Sequence, residues 1–269
     1  MRRTDADPNF EEAEGTIGCE LRELISRSWD AWDAASDAGV GVDGSMPILY
    51  FGDLLAYQNS ILRVVTVGLN PSGAEFPSGD RYARFPGASG VRHGPVRYFE
   101  ALNAYFETNP YRWFNNYEHA LRGLGASYTP NAESTALHTD ICSPVATVPT
   151  WSSLDDDTKD RLLGDGVPLW HDLIRFLRPQ VIVMSVAKRL LSQVDFHAES
   201  TCDPIHTVTN NKDGAERIQP YVVTARWHDI GEQSALLVYG KPAQTPFGTI
   251  THNDKRIIGE VAKTYYDIS

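Results

Sequence analysis

Three polar residues each stand at the end of a segment that reads as a strand, and their side chains are suited to hold a ligand. Asn70 comes after Val64-Val65-Thr66-Val67 in "RVVTVGLNPSGAEF". Asp140 closes "LHTD" and is the second residue of "TDICSPVAT", and Lys241 follows "SALLVYG". An amide both donates and accepts, an ionised carboxylate only accepts, and a neutral carboxyl can also donate. Set side by side at the carboxyl ends of parallel strands, such groups form a polar pocket, because that edge of an open α/β sheet is where ligands bind. His138, two residues before Asp140, would share its face of a strand, a placement that suits a catalytic pair or plain packing.

Elements able to position these groups are legible around them. The β-branched run Arg63–Gly68 predicts a strand buried on both faces, ended by Gly68 and Pro71. Leu137–Cys142 predicts a second strand, "QVIVMSV" a third, and "QPYVVTARWHD" and "SALLVYGKP" two more. Helices are predicted over Glu20–Ala35, Arg97–Thr108, Trp113–Leu124, "LDDDTKDRLLGDG", "PLWHDLIRFLRP", "AKRLLSQV" and "HNDKRIIGEVAKTYYD". This alternation gives an α/β class: one three-layer α/β/α domain over residues 1–269 with a central, mostly parallel sheet of four to five strands. Residues 1–15 read as a frayed polar end, 20–60 as a helical extension and 63–269 as the core.

Bulk properties narrow the function. A chain of 269 residues with 42% hydrophobic residues has material for a real core. No apolar run approaches the roughly 18–20 residues needed to cross a bilayer, and the start carries no secretory pattern, so the expectation is a soluble cytoplasmic protein. Cys19, Cys142 and Cys202 are too far apart for a zinc knuckle, and the scattered histidines suggest no metal site and no cofactor. Hydrolases of the Gly-x-Ser-x-Gly design and Walker-type kinases lack their motifs here. The net charge of −11 lowers the expectation of nucleic-acid binding without removing it. Between residues 81 and 97 the chain carries Arg81, Arg84, Arg92 and Arg97 and no acid, a pattern that suits phosphate contact or a solvated loop.

Four segments, taken in order, carry a resemblance. "VGLNPSG" resembles the first motif of the uracil-DNA glycosylase superfamily, especially its mismatch-specific branch. "TDICSPVAT" resembles the segment whose strand end reads the base, and "LWHDLIRFLRPQVIVMSVAKRLL" the helix, strand and short helix after it. "VYGKPAQTPFG" stands where the superfamily's His-Pro-Ser loop would be. The resemblance runs from Arg63 to the end and implies a uracil-DNA glycosylase-like fold. It also implies a monofunctional DNA glycosylase that everts a base, hydrolyses its N-glycosidic bond and leaves an abasic site.

By that resemblance Asn70 would position the attacking water, and Gly68, Leu69, Pro71, Ser72 and Ser143 would shape the substrate rim. Phe76, Tyr82 and Phe85 suit either stacking on the everted base or packing in the core. Pro246 and Phe247 would fill the vacated stack, and Arg81, Arg84, Arg92, Arg97, Lys188, Lys255 and Arg256 would meet DNA. Two departures matter. Asp140 stands where several branches have the uracil-reading Asn, and a carboxyl suits the cytosine edge: it accepts from the N4 amine and, if burial keeps it neutral, donates to N3. The leaving-group histidine is displaced, so either Lys241 or His252 supplies positive charge. Because excision of plain cytosine would destroy the host genome, the expected substrate is a hypermodified cytosine such as glucosylated hydroxymethylcytosine of phage DNA. Such a glycosylase, like others the superfamily includes, would serve anti-phage defence. A uracil or mismatch glycosylase and a non-catalytic nucleic-acid-binding module are the alternatives.

Overall fold

The computed structural model describes residues 18–89 and 94–268. Helix α1 (Cys19–Asp37) and the short α2 (Leu54–Gln58) precede β1 (Val64–Gly68). Helices α3 (Pro95–Asn103), α4 (Tyr105–Thr108) and α5 (Asn115–Gly123) then lead to the two-residue strands β2 (Ala126–Ser127) and β3 (Ser134–Thr135). After them come β4 (Leu137–Asp140), the long α6 (Asp156–Leu177), β5 (Val181–Met184) and β6 (His197–Ala198). The chain ends with β7 (Asp203–Asn210), β8 (Glu216–Asp229), β9 (Ser234–Gly240) and α7 (His252–Ile268).

The main sheet runs β4-β1-β5-β9-β8-β6, with β7 also paired to β8. Four consecutive strands, β4 at the edge and then β1, β5 and β9, are parallel, whereas β8 is antiparallel to β9. The chain leaves β1 toward one edge for β4 and then crosses back beyond β1 to β5. Beside β1 the order of the strands therefore reverses, and loops at that point leave a crevice above the strand ends. Burial of every residue of β1 and β5 explains the unbroken apolar runs that made both legible.

Helices cover both faces. Trp170 of α6 donates to Thr139 Oγ1 at 3.1 Å, which puts α6 on one side of β4. Tyr117 of α5 lies on the other side, 5.8 Å from the His138 ring, and donates to Val67 O at 2.6 Å. Helices α5 and α7 meet backbone to backbone: a Cβ on Gly123 would stand 2.1 Å from Arg256 O, and one on Gly259 2.0 Å from Ala120 O. Among the described residues no helix is long and apolar enough to cross a membrane.

Three expectations change. The two helices expected between residues 154 and 179 are one helix, α6, which continues through Pro168. A proline gives up one helical hydrogen bond. Here Leu162, Leu169, Trp170, Leu173, Ile174 and Leu177 bury one continuous face, and that packing outweighs the loss. The sheet has seven strands rather than four or five, because β6 and β7 extend it past β8. Strand β7 hid behind Pro204 and a mostly exposed, polar sequence. Within the stretch read as a helical extension, Met46 to Phe51 are core: Ile48, Tyr50 and Phe51 are each about 1% exposed, and Phe51 bridges to His138. The expected frayed end lies outside the described residues.

Candidate functional site

At the strand ends the turn after β1, the last residues of β4 and the turn after β5 enclose a cavity of about 410 Å³. That size falls within the range of roughly 300–1,000 Å³ of small-ligand sites. Leu69, Asn70, Pro71, Ser72 and Asp140 line it, so the amide and the carboxyl proposed from the sequence face one space. The walls are mainly aromatic, formed by Phe51, Tyr111, Trp113, Phe114 and Trp151, and Arg189 contributes a cation.

Asn70 is held in one orientation. Its Nδ2 group faces three acceptors, Val145 O at 3.1 Å, Pro71 O at 3.2 Å and Thr147 Oγ1 at 3.3 Å. An amide has only two N–H groups, so the three acceptors share them and identify this end as the nitrogen. Oδ1 is left without a protein partner among the described residues, an acceptor suited to a water proton.

Asp140 pairs in register with Gly68 of β1, and its carboxylate folds back across that glycine. A Cβ at residue 68 would stand 2.4 Å from Asp140 Oδ1 and 2.9 Å from His138 Nε2. The glycine is therefore the floor on which both side chains rest. His138 Nε2 lies 3.5 Å from Asp140 Oδ1, an electrostatic contact too long for a strong hydrogen bond. On its other side His138 Nδ1 meets Thr66 Oγ1 at 2.7 Å, and Thr66 meets Tyr128 OH at 2.5 Å. When Thr66 donates to Nδ1, the imidazole proton sits on Nε2, the ring nitrogen on the Asp140 side.

A second carboxyl enters the cavity from the turn after Ser72. Glu75 is 2% exposed and accepts from Tyr105 OH at 2.6 Å, while Arg84 Nε lies 3.8 Å away. Burial pushes the Glu75 carboxyl up to about 7, with a smaller push from the Asp140 charge, against the opposing effects of Tyr105 and Arg84. Sequence reading missed Glu75, although it stands only five residues after Asn70. It also missed Trp113 and Trp151, each on a one-turn 3-10 helix, and Arg189, on the 3-10 helix Lys188–Gln193. A signal for the tryptophans existed: both flank the segments that end at the cavity.

Other candidates lie elsewhere. Phe76 and Phe85 are about 1% and 0% exposed and stack on each other at 5.5 Å, so they back the site from the core and offer no face to a base. Ser143 is buried and accepts from Val145 N at 3.1 Å, fixing the turn after β4. Lys241 is exposed outside the cavity lining, and so is His252, whose ring stacks on His119 at 4.0 Å. The structure brings neither of the two to Asn70.

Of the DNA-contact candidates, Arg97 and Lys188 are exposed, as is Arg256, which pairs with Glu260. Arg81 donates to Phe76 O at 2.7 Å and Arg84 to Ala74 O at 3.3 Å, so both tie the loop after β1. Arg92 lies outside the described residues. Three expectations are corrected by burial. Pro246 and Phe247 are buried, and Phe247 packs over Gly240 and Tyr117, so neither presents a wedge. Lys255 is 2% exposed, with its ammonium on Pro246 O at 3.0 Å and Asn116 Oδ1 at 3.2 Å. Burial pushes it down to about 8, and it braces the 241–250 loop from inside.

Among the described residues no group of three or more His, Cys, Asp or Glu side chains is arranged to hold a metal ion. The chain matches no protein-family model and no curated protein. Its function must be argued from the cavity itself.

Proposed function

We propose that this protein is a monofunctional DNA glycosylase of uracil-DNA glycosylase-like fold that accepts an everted, modified cytosine and hydrolyses its bond to the sugar. One observation carries the reading: the Asn70 amide and the Asp140 carboxylate share a single aromatic-walled cavity at the ends of adjacent parallel strands.

The chemistry follows from the groups. A flat base gains from stacking against aromatic walls, worth about 1–3 kcal/mol per base, which offsets part of the cost of leaving the duplex. Asp140 accepts from the exocyclic N4 amine, a contact that uracil, with an oxygen at that position, does not offer. Asn70, anchored through Nδ2, holds water by Oδ1 beneath the sugar. As the glycosidic bond lengthens, the sugar takes on positive charge, and an aligned water suffices as nucleophile because proximity replaces nucleophilic strength. Arg189 at the rim, with Lys188 beside it, supplies positive charge for a flanking phosphate.

Duplexes carrying uracil, cytosine, hydroxymethylcytosine or glucosylated hydroxymethylcytosine, assayed for abasic sites, test the reading. Strand scission after alkali is expected only with a modified cytosine. Excision of uracil alone would overturn the substrate assignment, and an inert protein on every duplex would overturn the activity.

A further inference from the structure

The two carboxyl groups in this cavity have different surroundings, and that difference divides the labour between them. Asp140 rests on a glycine with an imidazole edge 3.5 Å away. Glu75 sits deeper, against the aromatic cluster of Phe76, Phe85 and Tyr105. Its Oε2 takes the Tyr105 hydroxyl at 2.6 Å and is also the oxygen nearest Arg84. Oε1 has no protein partner among the described residues, and Glu75 lines the cavity. Burial and the neighbouring glutamate hold the Tyr105 hydroxyl in its protonated form, so it stays a donor to Oε2. A proton on Glu75 therefore belongs on Oε1, where a bound base can reach it.

Cytosine leaves poorly as a bare anion, and protonation at N3 relieves that difficulty. Resting on the glycosylase reading above, we propose that Glu75 is a catalytic residue, the acid that protonates the departing base. Its proton passes from Oε1 to N3 as the C1′–N1 bond breaks, and the bonding pair leaves with the base. The water held by Asn70 adds to C1′, and its surplus proton restores the Glu75 carboxyl group. Asp140 stays the acceptor for the amine, and its negative charge favours the proton on Glu75. The charged and titratable groups set around Glu75 are Tyr105 of α4, Arg84 of the loop after β1, and Asp140 and His138 of β4. Burial raises Glu75 to about 7, which suits an acid working near neutrality.

The test uses whichever base of the duplex panel the wild-type protein excises, measured as single-turnover rates from pH 5.5 to 9. The wild-type rate is expected to fall about tenfold per pH unit above about 7. Glu75→Gln, which keeps the side-chain size and an acceptor for Tyr105, is expected to lose about 100-fold or more near pH 6 and to show no such limb. Tyr105→Phe removes a hydrogen bond that favours the carboxylate, so its limb should move to higher pH. A Glu75→Gln rate within threefold of wild type, or an unchanged limb in both variants, would refute the acid role and leave the glycosylase reading standing. A wild-type protein inert on every base would instead remove the reading on which the role rests.

Discussion

Asp140 Oδ1 folds over Gly68 so closely that a Cβ on the glycine would lie 2.4 Å away. The first strand thus governs the orientation of a carboxylate delivered by its neighbour. The contact is a property of strand register, since Gly68 and Asp140 are paired across the β1–β4 ladder.

Gly68→Ala is expected to displace both Asp140 and His138 rather than unfold the chain. Overpacking of this kind costs about 1–3 kcal/mol. Thermal melting should register that modest loss, while excision should fall by about 100-fold or more because the reacting groups are misplaced by an ångström or so. Normal turnover would exclude Asp140 from the working geometry.

Replacing the Asn70 amide separates an enzyme from a binding module. Asn70→Ala removes the oxygen proposed to hold water and is expected to lower turnover by about 100-fold with binding of the modified duplex largely retained. Asn70→Asp is expected to be worse for stability, because it sets a carboxylate against the carbonyls Pro71 O and Val145 O. Single-turnover rates alongside fluorescence-anisotropy binding check both.

Asp140→Asn gives the base-reading position a donor as well as an acceptor. Relative excision should shift toward uracil by about 10-fold or more, the value of one well-made hydrogen bond near 1.4 kcal/mol. Competition between the two bases in one reaction reads this ratio directly.

Trp113 is half-buried in the cavity wall. Trp113→Ala should weaken binding of the modified duplex by about 5- to 150-fold, from the roughly 1–3 kcal/mol that stacking contributes. An unmodified duplex, whose bases stay paired, should bind almost as before.

Glu75 also makes stability depend on pH. Its folded value of about 7 lies above the ordinary 4.5, so the folded state holds an extra proton between these limits. The stabilisation is complete below about pH 4.5 and is lost as pH rises through 7. At most it amounts to roughly 3 kcal/mol, from about 1.4 kcal/mol per pH unit of the interval. Urea unfolding at pH 5 and pH 7.5 should show the wild-type protein losing stability relative to Glu75→Gln over this window.

The sequence alone determined the inner strands, because Val64–Val67 and Val181–Met184 are buried on both faces and admit few polar residues. It also pointed to Asn70, a polar residue at the end of such a run, and to Asp140, which ends the segment resembling the base-reading strand. Only the tertiary structure decided Glu75, Phe247 and Lys255. A glutamate in a Gly-Ala-Glu turn looks solvated until Tyr105, thirty residues on, closes over it, and a lysine on α7 looks exposed until the 241–250 loop folds back onto its ammonium. Burial of a polar group depends on partners distant in the chain, so no local pattern of residue types records it.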